Sequence, residues 1–438
     1  MSNDMTNTTI PALIPETEFR GRAWLAVGLL WAVGCLNYLD RVMITTMRGS
    51  LVEAIPMSDA QFGLLTTVFL WVYAACSPLA GHLADRLGRS VVIVASLLVW
   101  SVVTWATAHA KTYEQLLATR ALMGVSEACY MPAALALISD YHRTTTRSLA
   151  TGIHMTGTMV GGALGGLGGL LAEARDWSYA FKVFGAIGCG LAVALVFLLR
   201  DRRDGGAGGG GGETYPKTDA LSNTAARGAA RDGGARLADA LKHLLGNKAF
   251  LLATCYWSLV AISSWAMVGW MPTFLQERFS LGQGRAGLSA TVCLQAASLA
   301  GVLLGGAWAD RWSRRNARGP MLVVMAGACI AVPSILATSL AGALWVALAG
   351  LACFGLAKAF ADANMMPILT LVADRRHRAT GYGILNFCAC ATGGLANLLG
   401  GVLRDAHADV ALVFLAGALG YALAFFVMSR VRPAAKNQ

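Results

Sequence analysis

The sequence repeats one short motif, which reads GHLADRLGR at residues 81–89 and GAWADRWSR at residues 306–314. A glycine, an aspartate and two arginines fall at the same offsets in both copies, which lie 225 residues apart. One copy could arise by chance, but two copies, each after a long apolar stretch, indicate a chain built from two related halves. The matching residues are Gly81, Asp85, Arg86 and Arg89 in the first copy and Gly306, Asp310, Arg311 and Arg314 in the second.

The composition excludes a soluble protein. Hydrophobic residues make up 56% of the 438 residues and charged residues 13%, about half of the roughly 25% found in soluble chains. A compact soluble fold could not cover so much apolar surface, and disorder or a secreted disulfide framework is excluded in the same step. The ten cysteines lie in apolar stretches without metal-ligand spacing, so no metal site is predicted. The chain is predicted to be a polytopic membrane protein.

Twelve stretches are long enough to cross the membrane as helices, since a bilayer core of about 30 Å needs roughly 20 apolar residues. In the first half the predicted spans are residues 24–46, 60–83, 91–109, 113–138, 149–172 and 178–199. In the second half they are residues 250–275, 286–308, 320–339, 342–372, 379–403 and 409–430. The tenth is too long for one straight span, and we expect a kink at Pro367. The predicted fold class is an all-α membrane protein with two pseudo-symmetric six-helix halves.

Five segments follow from this count: a tail at 1–23, the first half at 24–199, a linker at 200–249, the second half at 250–430 and a tail at 431–438. The linker contains a run of glycines, which is typical of a flexible connection. No Gly-Lys-Ser/Thr follows that run, so it is not a nucleotide-binding loop. The sequence therefore shows no ATP site.

Positive charges are distributed unequally between the two faces of the predicted bundle. The face with both termini and the linker has 25 lysines and arginines, whereas the opposite face has seven. The positive-inside rule then places both termini and the linker in the cytoplasm, and the chain in the inner cell membrane as a multi-pass protein. The net charge of +11 follows from this asymmetry and needs no nucleic-acid partner.

Two further stretches narrow the assignment: NYLDR at residues 37–41 and RALMGVSEA at residues 120–128. With twelve spans, a basic central loop and the repeated motif, the chain resembles the major facilitator superfamily over nearly its whole length. The two stretches are similar to the anion:cation symporter branch, which includes transporters of sugar acids, sialic acid and organic anions. The spinster-like branch, associated with lipids, shares much of the same pattern, and these motifs do not separate the two branches.

Four charged residues lie well inside predicted spans of the first half: Asp40, Arg41, Arg120 and Glu127. Each costs about 2.5–3.5 kcal/mol at the bilayer centre, so each must face a cavity or a partner. A carboxylate beside an arginine can bind and release a proton as its surroundings open and close, so Asp40 and Glu127 are predicted proton carriers. An arginine stays charged and can hold a carboxylate, so Arg41 and Arg120 are predicted partners for these groups and for an anionic substrate.

The resemblance implies the same coupling role for these four positions. The alternative is that they form permanent structural pairs, Asp40 with Arg41 and Arg120 with Glu127. In the repeated motif, the aspartate and arginines are expected to make charge-assisted bonds that hold the cytoplasmic side closed.

Weaker candidates lie elsewhere in the spans. Lys358 and Asp362 have the i,i+4 spacing of a helical ion pair, which is either structural or a substrate contact. His154 is of a residue type that titrates near neutral pH, so it is either a proton relay or a neutral core residue. The remaining candidate substrate contacts are Asn37, Tyr38, Gln295 and Asn386.

The sequence thus predicts a secondary active transporter, driven by a proton gradient without a cofactor, that carries out symport of a small organic anion such as a sugar acid. The two halves are expected to rock about a midplane site, so that the site opens to each side of the bilayer in turn. We expect a monomer. The alternatives are a spinster-like transporter of lysolipids or other amphiphiles, a drug efflux antiporter, and a membrane protein that binds solutes without transporting them. No enzyme motif such as GxSxG or HExxH is present.

Overall fold

The computed structural model describes residues 16–142, 144–199, 239–374 and 377–432. All regular secondary structure in these ranges is helical, and twelve segments are long and apolar enough to cross a membrane. We number them spans 1 to 12. Spans 1 to 6 are Gly21–Thr46, Asp59–Leu79, Arg89–Thr107, Tyr113–Tyr141, Thr146–Ala174 and Trp177–Leu198. Spans 7 to 12 are Lys248–Phe279, Gln283–Ser313, Gly319–Ser339, Leu344–Val372, Thr380–Asp405 and Ala411–Arg430.

These twelve spans confirm the predicted fold class. The third, the sixth to tenth and the twelfth are single helices with the bounds given above. Spans 2 and 11 belong to the longer helices Asp59–Leu87 and Arg378–Asp405. A short helix, Arg48–Ala54, connects spans 1 and 2. Each of the remaining spans contains two helices: Glu16–Met43 and the 3-10 helix Ile44–Thr46 in span 1, Tyr113–Ala128 and Tyr130–Tyr141 in span 4, and Thr144–Leu164 and Leu167–Ala174 in span 5.

Span 10 is one continuous helix that contains Pro367. The chain stays helical on both sides of the proline, so the expected kink does not interrupt the helix. Residues 1–15, 200–238 and 433–438 lie outside the described residues. These ranges include most of the predicted linker and most of each predicted tail.

Polar residues in the loops begin several helices. Ser58 and Gln61 form a capping box at the start of span 2, each side chain accepting a hydrogen bond from the backbone N–H of the other. Asn247 accepts two backbone N–H groups at the start of span 7. These side chains satisfy donors that a helix start leaves without a partner, and so they fix where the apolar segments begin.

Span 5 packs closely on two neighbours through glycines. A Cβ added to Gly161 would lie 1.9 Å from the carbonyl oxygen of Cys35 in span 1. On another face of span 5, a Cβ on Gly166 would lie 2.4 Å from Oγ1 of Thr291 in span 8. Small residues at such positions let membrane helices approach to backbone contact. Span 5 therefore packs on span 1 within the first half and on span 8 of the second half.

The two halves meet mainly at one end of the molecule. We call the face with the start of span 1 and the end of span 12 the terminal side, and the face with the turns at 47–58 and 280–282 the distal side. Near mid-span, Thr67 donates to the carbonyl of Gly394 at 2.6 Å, and Trp71 to that of Ala391 at 3.0 Å. Among the described residues, the other hydrogen bonds between the halves lie nearer to the distal ends of the spans than these two bonds do. The structure is thus closed on the distal side and open towards the terminal side.

Candidate functional site

Arg41 and Glu127 form a buried ion pair between spans 1 and 4. Nε of Arg41 donates to Oε2 of Glu127 at 2.7 Å. The Glu127 side chain is inaccessible to solvent and that of Arg41 is 6% exposed. Asn37 is fully buried one helical turn before Arg41, next to Glu127. A charge-assisted bond of this kind compensates both groups for the loss of water.

Aromatic rings surround the guanidinium of Arg41. Its Cζ lies 4.4 Å from the ring centre of Tyr73, 4.9 Å from that of Tyr38 and 5.1 Å from that of Phe69. Cations are attracted to aromatic faces at such distances. Tyr73 and Phe69 belong to span 2, where no pattern in the sequence distinguishes them from the many apolar residues around them.

Asp40, the neighbour of Arg41 in sequence, faces a different helix. It is 2% exposed, and one carboxylate oxygen accepts a hydrogen bond from Oγ1 of Thr104 in span 3 at 3.3 Å. The other oxygen has no hydrogen-bond partner among the described residues. The structure therefore does not show the two structural pairs considered above, Asp40 with Arg41 and Arg120 with Glu127.

Arg120 is the least satisfied charge of the group. It is 2% exposed, and its Nε and Nη2 have no hydrogen-bond partner among the described residues. Its guanidinium carbon lies 5.6 Å from the ring centre of Phe181 and within electrostatic range of Asp40 and Glu127. A buried guanidinium with free donors is suited to an anionic ligand.

A space with about 350 Å³ of empty volume, part of it open to solvent, lies between the halves, and both arginines line it. The rest of its wall in the first half is formed by the apolar side chains Ile44, Leu65, Phe69 and Leu70 and by Thr45 and Thr66. The second half contributes Trp265, Val268, Gly269 and Asn397. We call this space the central cavity. It combines apolar walls with two guanidinium groups.

Gln295 lies at a second space between the halves. This space has about 260 Å³ of empty volume, part of it open to solvent, and is lined by spans 1, 5, 7 and 8. The Gln295 amide packs directly against Gly162 of span 5, where an added Cβ would lie 2.2 Å from Nε2. The structure thus places Gln295 at the interface between spans 5 and 8, away from the buried arginines.

Lys358 and Asp362 form an ion pair within span 10, with Nζ and Oδ2 2.5 Å apart. The pair is partly exposed, 24% for the lysine side chain and 43% for the aspartate. The charge of Asp362 acts on Tyr38 in span 1, so the pair faces the space between the halves. Asn386 of span 11 is half-buried and lies close to Cys390.

His154 is fully buried but lies apart from the two carboxylates. Its ring packs against Tyr130, with ring centres 5.9 Å apart, and its Cε1 lies close to Gly34. No hydrogen bond or ion pair joins it to Asp40 or Glu127 in the described part of the chain. Its assignment as a proton relay stays a prediction.

The repeated motif lies on the open, terminal side. Arg89 pairs with Asp140 of its own half and donates to the carbonyl of Ala136 at 3.1 Å. The surroundings of Gly81 and the side chain of Asp85 lie outside the described part of the chain. The other charged residues of the two copies are exposed: Arg86, Asp310, Arg311 and Arg314. Since this side is open in the structure, the closing role of the motif stays a prediction.

Among the described residues, no group of three histidine, cysteine, aspartate or glutamate side chains could hold a metal ion. The site is therefore one of ion pairs and cavities between two helical bundles.

Two bundles of six spans that close at one end, around a cavity with buried charges, are the architecture of a membrane transporter. The family model described as Major Facilitator Superfamily matches residues 30–397, and the chain belongs to that superfamily.

Individual relatives show where within the superfamily the similarity is found. The chain is 31% identical to Protein spinster homolog 1 of Rattus norvegicus over 324 residues, which are 70% of this chain and 58% of that protein. It is 25% identical to an MFS-type efflux pump of Mycolicibacterium smegmatis over 397 residues, 89% of this chain and 86% of the pump. The chain thus spans little more than half the length of the spinster relative.

The fold also matches a solved structure. A bacterial homolog to the human lysosomal transporter spinster, crystallised in an inward-facing and occupied conformation, superposes with a TM-score of 0.76. The match covers 96% of this chain and 98% of that chain at 20% sequence identity. At this identity the likeness establishes the shared fold.

Proposed function

We propose that this protein is a proton-coupled transporter of an amphiphile with an anionic head group. The observation that carries the proposal is Arg120, a buried guanidinium with free donors on the wall of a mostly apolar cavity, next to the Arg41–Glu127 pair. An anion satisfies Arg120, and the apolar wall accommodates a hydrocarbon chain.

Glu127 is the proposed coupling group. While it is ionised, it holds Arg41 through the bond of 2.7 Å. When Glu127 binds a proton it loses its charge, the hold on Arg41 weakens, and the guanidinium becomes available to the substrate. Asp40, with one oxygen free and Arg120 within electrostatic range, is the second proposed proton carrier.

The amphiphile is preferred to the sugar acid for two reasons. A sugar acid presents many hydroxyl groups, whereas the exposed wall of the central cavity is mainly apolar. The sequence similarity to spinster proteins points to the same branch, which the motifs at residues 37–41 and 120–128 also resemble.

The proposed setting is the inner membrane, with both termini in the cytoplasm, because 25 of the lysines and arginines lie on that face. The open terminal side is then the cytoplasmic side. The proposed functional unit is a monomer, since residues of one chain form the central cavity and both ion pairs.

The test is uptake into proteoliposomes with an imposed proton gradient. The panel contains oleoyl lysophosphatidate, glucuronate and a cationic dye, each offered with and without the gradient. We expect gradient-dependent movement of the lysophosphatidate alone. Movement of glucuronate alone would support the small-anion symporter instead, and movement of the dye alone would support an efflux pump. Binding without movement of any solute would overturn a transport function.

A further inference from the structure

We propose that Asn397 is the contact through which the second half recognises the substrate, and that it selects a substrate with a hydrogen-bonding group, such as a hydroxyl, beside the anionic head. This inference rests on the proposed function. It adds a specificity residue that the motifs in the sequence did not indicate.

Asn397 is a buried amide with unused hydrogen-bonding capacity. It is 2% exposed, and its Oδ1 has no hydrogen-bond partner among the described residues. A buried polar atom without a partner is costly, so such an atom beside a cavity indicates a missing ligand. Asn397 lines the central cavity together with Arg41 and Arg120.

The surrounding helices hold this amide in place. The backbone carbonyl of Asn397 accepts a hydrogen bond from Nε1 of Trp270 at 3.1 Å. Gly269 makes room for the side chain, because a Cβ there would lie 2.4 Å from Oδ1. On the other side, a Cβ on Gly63 of span 2 would lie 2.5 Å from the Asn397 carbonyl oxygen. These contacts fix the position of Asn397 at the boundary between the two halves.

The groups around the cavity define a complementary ligand. The first half offers guanidinium N–H groups, which donate to an anion or to another hydrogen-bond acceptor. The second half offers an amide, which has one acceptor and one donor group and therefore suits a hydroxyl. A ligand with both groups close together contacts both halves at once.

The test compares oleoyl lysophosphatidate with its 2-deoxy analogue, which lacks the free hydroxyl. Dissociation constants are measured on the purified protein for wild type, Asn397→Leu and Asn397→Ala. We expect wild type to bind the hydroxylated ligand roughly tenfold more tightly. Either variant should bind both ligands with the affinity that wild type has for the analogue. Asn397→Ala serves if the leucine variant does not fold.

Asn364 provides a matched control, since it is also a fully buried asparagine of the second half. Its amide donates to the carbonyls of Phe360 and Gly305, away from the central cavity. Asn364→Ser should keep the tenfold preference. If the Asn397 variants keep the preference too, the inference is wrong while the proposed function stands. If wild type binds neither ligand, the proposed function fails and the inference with it.

A second inference has independent support at the distal side. The geometry points to a pair of helix caps that cross from one half to the other and hold the distal side closed. Asp405, at the end of span 11, accepts the backbone N–H groups of Asp59 and Ala60 at 2.8 and 2.9 Å. Glu173, in the last turn of span 5, accepts the N–H of Gly284 at 2.8 Å.

The two caps are related by the internal repeat. Gly284 lies 225 positions after Asp59, the same offset that separates the two copies of the repeated motif. In each case a carboxylate from one half satisfies the start of a helix in the other half, spans 2 and 8 respectively. Carboxylates stabilise helix N-termini, where backbone N–H groups lack partners. Opening the distal side breaks both caps.

Other polar contacts reinforce each cap. Arg404 donates to Oδ2 of Asp59 at 3.0 Å and holds both oxygens of Glu277 at 2.7 and 2.8 Å. At the second cap, Ser50 and Gln283 exchange two hydrogen bonds of 2.8 and 2.9 Å across the halves. Closure of the distal side therefore depends on both caps together.

Hydrogen–deuterium exchange of the full-length protein tests this coupling, with Asp405→Asn and Glu173→Gln as variants. Each variant should raise exchange roughly five- to tenfold at its own cap, and also at the other cap, because both open in one motion. Asp176→Asn is the matched control, since Asp176 caps span 6 within its own half through the N–H of Tyr179. Its effect should stay at the start of span 6. If exchange in the Asp405 and Glu173 variants also rises only at the cap that each variant alters, the inference is wrong.

Discussion

The two halves of this transporter share a fold but carry their intramembrane charges in different ways. In the first half, Arg41 and Glu127 pair across two helices from positions 86 residues apart, and both are buried. In the second half, Lys358 and Asp362 pair within one turn of a single helix and stay partly exposed. A pair between helices changes when the helices move, whereas a pair within one helix does not. Coupling is therefore expected in the first half.

The largest effect is expected from Glu127→Gln. Under an inward gradient of one pH unit, one coupled proton supports about tenfold accumulation of substrate. The variant cannot bind the proton, so accumulation should fall to the level without a gradient. Substrate uptake in proteoliposomes, with and without the gradient, measures this.

The control for Glu127→Gln is exchange of labelled for unlabelled substrate without a gradient. This exchange needs binding and rocking but no proton, so the variant should retain it. Full gradient-driven accumulation by the variant would show that Glu127 does not couple transport to protons. Loss of exchange as well would assign the residue to binding.

Arg120→Gln should raise the apparent KM for an anionic substrate by about ten- to a hundredfold, because a buried charge-assisted contact contributes about 1.5–3 kcal/mol. Arg120→Lys keeps the charge but loses the planar fork, so its effect should be smaller. Initial rates over a range of substrate concentrations give the values. An unchanged KM in both variants would show that Arg120 does not contact the substrate. The buried charges of the first half would then have no assigned ligand.

Packing of span 5 within the first half gives a third prediction. Gly161→Ala should destabilise the protein by about 1–3 kcal/mol, because the new methyl meets the Cys35 carbonyl and the backbones must separate. Gly152→Ala in the same span is the control, since nothing lies within 4 Å of its added Cβ. Thermal unfolding in detergent should show a lower melting temperature for the first variant only. Equal melting temperatures would contradict the close contact.

The smallest effect is expected for the pair of the second half. Partly exposed pairs contribute about 0–1 kcal/mol, so Lys358→Met with Asp362→Asn should change the apparent KM by less than about fivefold. Transport assays on the double variant and both single variants measure this. A loss comparable to that of Arg120→Gln would mean that both halves bind the charged group of the substrate.

The sequence was sufficient to predict the twelve spans and the two halves, because length and apolar composition alone decide which segments cross a bilayer. It was also sufficient to single out Asp40, Arg41, Arg120 and Glu127, since charges inside apolar segments are conspicuous. Their roles stay predictions.

The pairing of these charges could not be predicted. Neighbouring residues of a helix point about 100° apart, so Asp40 and Arg41 meet different helices, and which ones depends on how the bundle packs. The signal for Thr104, the partner of Asp40, is a polar residue within an apolar span. The distal contacts have a weaker signal: Arg48 and Arg404 lie in predicted loops, where charges are common, although Arg48 pairs with Asp59 and Arg404 with Glu277.

The glycine faces of span 5 have a kinetic consequence. Where span 5 meets span 8, Gly162 and Gly166 have no side chains of their own, so a change of angle between the halves moves little of span 5 past its neighbour. The resistance to switching then comes from charged groups at the distal ends, and some of these, such as Glu277 at 49% exposure, are in contact with water. At 0.1 M salt, the interaction between exposed charges decays over a Debye length of about 10 Å. The turnover rate of the transporter should therefore respond to the ionic strength of the solution on the distal side more than to the fluidity of the lipid.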